Sequence, residues 1–73
     1  MKYTDNDLEN IIALCEQDEN NRNENLANRC KKALAYTYVS LKITKRDKKY
    51  LKKFYDPEMD QDALLTLKKI MGM

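Results

Sequence analysis

The sequence predicts an all-α fold: one small domain over 1–73, a compact bundle of four short helices at about 5–18, 23–42, 45–55 and 57–71. Three observations predict it. One glycine and one proline in 73 residues are too few for the turns of a sandwich or barrel. Apolar residues make up 42% of the chain and recur at three- and four-residue spacing, which argues for packed helices over disorder. Helix-start signals, Thr4-x-x-Asp7, Thr44-x-x-Asp47 and Asp56-Pro57, precede three of the apolar stripes. A chain of this length buries only about 60% of its unfolded surface, so small scaffolds of this size often lean on a staple or a second subunit.

The first helix starts at a Thr4 cap with Asp7 three residues on, and both Asp5 and Asp7 suit the positive end of the helix dipole. Leu8, Ile11, Ile12 and Cys15 then form one apolar stripe. The pattern fades in the asparagine-rich Asp18–Asn23 stretch, which predicts the first turn. The second helix places Leu26, Ala27, Cys30, Ala33, Leu34, Tyr38 and Leu41 inward, with Arg29, Lys31 and Lys32 mostly outward. Its far end carries two periods at once. Val39, Leu41 and Ile43 alternate as a strand would, but no second strand exists to pair with them, and helix is the expectation.

Thr44 caps the third helix, with Tyr50, Leu51, Phe54 and Tyr55 as its apolar face. Asp56, Pro57 and Glu58 are expected to open the fourth, as cap, first helical residue and dipole-matched acid. Its inner side is Met59, Ala63, Leu64, Leu67, Ile70 and Met71, and Gly72 ends it.

Catalytic chemistry finds no footing. Histidine is absent, and the carboxylates sit at helix starts where capping accounts for them. Gly72 alone cannot make a phosphate-binding loop. Two cysteines without histidine complete no zinc site, and Asp56, Asp60 and Asp62 lack the glycine of a calcium loop. No catalytic residue, metal or cofactor is expected. Cys15 and Cys30 lie symmetrically about the first turn. They predict either a disulfide clamp or, in a reducing cytoplasm, a pair of buried thiols, and the latter is favoured. No apolar run approaches the ~18 residues of a membrane span, and none follows Met1-Lys2-Tyr3 as a secretory signal would.

Charge is the informative feature. The formal net charge is only +2, but it is the sum of an acidic end, a basic middle and an acidic tail. Residues 1–25 hold two cations against seven acids, 26–55 hold ten against Asp47 alone, and 56–73 hold two against four. Within the middle, Lys45, Lys48, Lys49, Lys52 and Lys53 recur at i, i+3, i+4, i+7 and i+8, flanked by Lys42 and Arg46. On a helix they make one cationic stripe, whose like charges repel at four-residue spacing.

These seven residues are the candidate binding site. The sequence predicts a small non-enzymatic regulatory protein that contacts a polyanion through them, foremost DNA or RNA. Lysine supplies point charge with little base discrimination, so recognition would be non-specific or structure-directed. The alternative is a small adaptor or inhibitor, of the phage or bacterial accessory type, docking on an acidic protein surface or on a second copy. A membrane surface is disfavoured, since the opposite aromatic face is needed for the core.

Overall fold

A computed structural model describes residues 3–36 and 38–72. Four helices fill most of it: α1 (Asp5–Gln17), α2 (Glu24–Ala35), α3 (Lys45–Lys52) and α4 (Gln61–Met71). The all-α bundle expected from the sequence is therefore the fold. The short 18–23 connection turns α2 back along α1. Helix α1 also packs on α4, and α4 on α3. A Cα radius of gyration of 11.4 Å matches the ~11 Å of a compact chain of this length. No helix among the described residues is long and apolar enough to cross a membrane.

The core is one cluster. Ile11, Cys15, Leu26, Cys30, Leu51 and Leu67 are completely buried, and Leu8, Leu14, Ala27 and Ile70 nearly so. Leu14, not part of the expected α1 stripe, belongs to it because the face turned to α2 and α4 is wider than four residues. Each fully buried leucine or isoleucine contributes about 1.5–3 kcal/mol, against a total stability of about 4–11 kcal/mol for this length.

Both Thr-x-x-Asp signals are full capping boxes. Thr4 Oγ1 accepts from the Asp7 amide at 3.1 Å while Asp7 Oδ2 accepts from the Thr4 amide at 3.0 Å. Thr44 and Asp47 repeat the pair at 3.1 and 3.0 Å. Gly72 stands at φ 76°, ψ 26° and its amide donates to Lys68 and Lys69 carbonyls, closing α4 in the left-handed conformation that glycine adopts without strain.

Three boundaries differ from expectation. Helix α2 stops at Ala35 instead of running to 42, and Tyr36 is already extended at φ −125°, ψ 116°. Aromatic and β-branched residues lose side-chain freedom in a helix, and 36–43 is dense in both. The segment 38–44 follows the strand-like alternative instead. Val39, Leu41 and Ile43 turn partly inward, while Tyr38, Ser40, Lys42 and Thr44 face out. Tyr38, expected inside, is 82% exposed. Thr37 lies outside the described residues.

Helix α3 ends at Lys52 rather than 55, tightening as the Phe54 amide donates to the Leu51 carbonyl and that of Tyr55 to Lys52. Helix α4 begins at Gln61, four residues after the expected 57. Asp56-Pro57 starts a turn, not a helix. The Met59 amide closes it on the Asp56 carbonyl at 3.0 Å, and the Glu58 amide donates to Asp56 Oδ1 at 2.9 Å. Proline with a preceding aspartate suits the first half of a β-turn as well as a helix start, and Asp60 takes over as cap.

The α1 box is also a tertiary joint. Asp7, only 6% exposed, accepts from Thr66 Oγ1 at 2.7 Å and from the Lys69 ammonium, both on α4. Asn10 Nδ2 completes the network by donating to Thr66 Oγ1 at 3.0 Å. Burial pushes the Asp7 carboxyl up, but donation from Lys69, the Thr4 amide and Thr66 outweighs it and holds the group at about 2, below its ordinary 3.8. A carboxyl depressed by folding adds stability that is complete above its unfolded pKa and is lost as pH falls through the folded one. Thermal melts are therefore expected to hold level above about pH 5 and to drop between about pH 4 and pH 2, and Asp7→Asn should flatten that drop while lowering the neutral-pH melting temperature.

Cys15 and Cys30 are both free and fully buried. Burial pushes the Cys15 thiol up to about 11 and the Cys30 thiol to about 12. The thiolate is the reactive form, so a thiol-specific reagent at neutral pH should leave the folded chain untouched and label both sites once denaturant unfolds it. Labelling of the native protein at the rate of a free thiol would contradict this burial.

Candidate polyanion-binding site

Helix α3 is eight residues long, and its four-residue neighbours Lys45 and Lys49, and Lys48 and Lys52, repel each other. Such a helix does not persist alone in water. Three features hold it. The capping box fixes its first turn, Leu51 is buried against the core, and Lys49 and Lys52 lie in the last turn where the dipole favours cations.

The fourth support comes from α2. Arg29, expected on the outer side, reaches across to Asp47 in a bidentate pair, Nη2 to Oδ1 at 2.7 Å and Nη1 to Oδ2 at 3.0 Å. Nη1 also donates to the Lys42 carbonyl at 3.2 Å, and Nε to Asn25 Oδ1 at 2.8 Å. One guanidinium thus ties α2, the extended 38–44 segment and the start of α3. Asp47 is 4% exposed. Burial raises its carboxyl pKa, but the Arg29 guanidinium and the Thr44 backbone and hydroxyl bring it below the usual range.

The remaining charges face outward. Lys45, Lys48, Lys49 and Lys52 are exposed and form no ion pair among the described residues. They cover about 100° of the helix circumference, opposite buried Asp47 and Leu51. Lys42 and Arg46 are likewise exposed and unpaired among the described residues.

Lys53 stands apart. It caps α3, and its ammonium turns to Asp18 at the end of α1, lying 4.4 Å from the Tyr50 ring centroid and 5.2 Å from that of Phe54. The Tyr50 hydroxyl donates to the same carboxylate at 3.1 Å. The Lys53 ammonium holds the Asp18 carboxyl below its ordinary range. Of the seven candidate residues, six share an open surface, and Lys53 has an internal partner.

Sequence reasoning missed Arg29 as the strut of this face. A signal was present: Asp47 is the single carboxylate in 26–55, so a cation was bound to seek it. Which of ten cations would do so depends on how α2 lies beside α3. Arg29→Met keeps the aliphatic stem and removes the guanidinium. It should cost about 1–3 kcal/mol, the range for leaving a charged hydrogen-bonding group unpaired. Amide exchange should then accelerate in 48–52 more than in α1. No family model, curated protein or solved structure matches the chain.

Proposed function

We propose that this chain is a small non-enzymatic regulatory protein whose basic face binds a nucleic acid, acting in the cytoplasm. One observation carries the reading. Lys42, Lys45, Arg46, Lys48, Lys49 and Lys52 are exposed together, unpaired among the described residues, on and beside a helix that their mutual repulsion weakens. A phosphate backbone relieves that repulsion and releases its own counterions, so charge that opposes folding becomes binding energy. Free thiols at Cys15 and Cys30 suit a reducing compartment.

The acids of the chain have nearer partners or other duties. Asp7, Asp18 and Asp47 are taken by Lys69, Lys53 and Arg29, and Glu16 and Glu24 by Arg22, Glu16 meeting Lys31 as well. The α3 lysines are left with no counter-charge of that kind. Recognition is by phosphate spacing and shape, since four of the six cations on α3 and its approach are followed by no asparagine or glutamine able to read a base edge.

A mobility-shift titration at ~50 and ~200 mM salt tests the proposal. Four phosphate contacts give a fall in affinity of roughly 50–150-fold between these salts. Lys45→Ala, Lys49→Ala and Lys52→Ala should each weaken binding and lower the slope of log affinity against log salt by about 0.7–0.9. Binding to an acidic protein instead would show weak salt dependence, with one or two dominant aromatic positions, and would replace this reading with that of a protein-binding adaptor.

A further inference from the structure

We propose that the nucleic acid taken by this face is single-stranded, its bases stacking on the Tyr36–Tyr38 pair while its phosphates run along Lys32, Lys42 and Lys45. The inference rests on the polyanion reading above and adds the class of strand.

Most aromatic side chains of this protein are used inside. Tyr3, Tyr50, Phe54 and Tyr55 all pack against the core. Tyr36 and Tyr38 do not. They are 47% and 82% exposed, with ring centroids 5.6 Å apart and planes inclined at 42°. Exposing two adjacent tyrosine rings forgoes the burial that usually justifies an aromatic in a chain with so thin a core. A backbone turn holds them, the Val39 amide donating to the Tyr36 carbonyl at 3.1 Å.

What lies beside the rings gives them a partner of defined chemistry. Between the end of α2 and the extended segment runs a groove of about 300 Å³ with Val39 and Leu41 in its wall and Lys32, Lys42 and Arg29 along it. Arg29 is committed to Asp47, which leaves Lys32 and Lys42 as the groove's unengaged cations among the described residues. Thr44 ends the groove and caps α3, so the line from the tyrosines through Lys42 meets Lys45 at the head of the lysine stripe. Aromatic faces interleaved with cations along a shallow apolar channel are what an unpaired strand needs: a surface for each base and a charge for each phosphate. A duplex has its bases already stacked and would use only the lysines. Stacking tolerates any base, in keeping with the scarcity of groups that could read one.

Fluorescence anisotropy with the full chain tests this, using labelled 12-nucleotide oligo-dT and oligo-U and a 12-base-pair mixed-sequence DNA duplex. The single strands should bind more tightly than the duplex, and the stronger of the two arms tells DNA from RNA. The double variant Tyr36→Ala/Tyr38→Ala, whose side chains are outside the core, should melt like the parent. It should lose about 5- to 150-fold in single-strand affinity for each base stacked, with duplex affinity changed less than about twofold. Tyr36→Phe/Tyr38→Phe keeps the rings and should retain single-strand binding. Equal binding of strand and duplex, or an unaltered single-strand affinity in the alanine variant, would overturn the stacking proposal and leave the polyanion reading standing. Failure of every probe to bind at ~50 mM salt would overturn both.

Discussion

The Arg29–Asp47 pair is the contact on which the basic face depends. Asp47 serves two structures at once. Within α3 it is the acid of the capping box, and across the fold it receives both forks of the α2 guanidinium. A short helix with four lysines on one side has a weak intrinsic reason to form. Here its first turn is locked from inside by Thr44 and from outside by Arg29, and Leu51 anchors its far turn. Asp7 plays the same double part at the other end of the molecule, capping α1 and gripping Thr66 and Lys69 of α4. In each case a local helix-start device has been buried and joined to a helix distant in sequence. Burying a carboxylate is costly unless it is paired and hydrogen-bonded, and both aspartates have every acceptor position they need supplied.

The electrostatic consequence is a division of labour among charges. Acids near the basic segment are consumed one by one: Asp47 by Arg29, Asp18 by Lys53. Those pairs neutralise the cations that touch the core and leave exposed the ones that do not. A total charge of +2 therefore describes the molecule poorly, since what a partner meets on approaching α3 is a field of one sign. The extended 38–44 segment enlarges that surface. Had it continued α2 as a helix, Tyr38 would have been carried to the inner stripe with Leu34 and Leu41. Extended, it places Tyr38, Ser40, Lys42 and Thr44 on the outer side and leads the chain straight into the α3 cap.

Much of this was legible in the residues. The capping boxes were readable because both halves lie within four residues, a separation at which geometry follows from local conformation alone. The Gly72 stop and most core positions were readable for the same reason. The α2 end was not, because 36–43 fits a helical stripe through Tyr38 and Leu41 and a strand alternation through Val39, Leu41 and Ile43 equally well. Asp56-Pro57 misled in a similar way: its preferred backbone suits a turn as much as a helix start, and the second cap at Asp60 decided the matter.

By itself, then, the sequence determined that the chain is helical, where three helices begin or stop, and that one segment concentrates positive charge, since each depends on neighbours a few residues apart. Tertiary structure alone decided which cations are spent and which remain. Arg29 and Lys69 resemble their neighbours until α2 is laid beside α3 and α4 beside α1, and charge pairing falls off with a distance that the linear chain does not specify. The exposure of Tyr36 and Tyr38 was decided there too, because whether an aromatic ring is covered depends on what other elements pack over it.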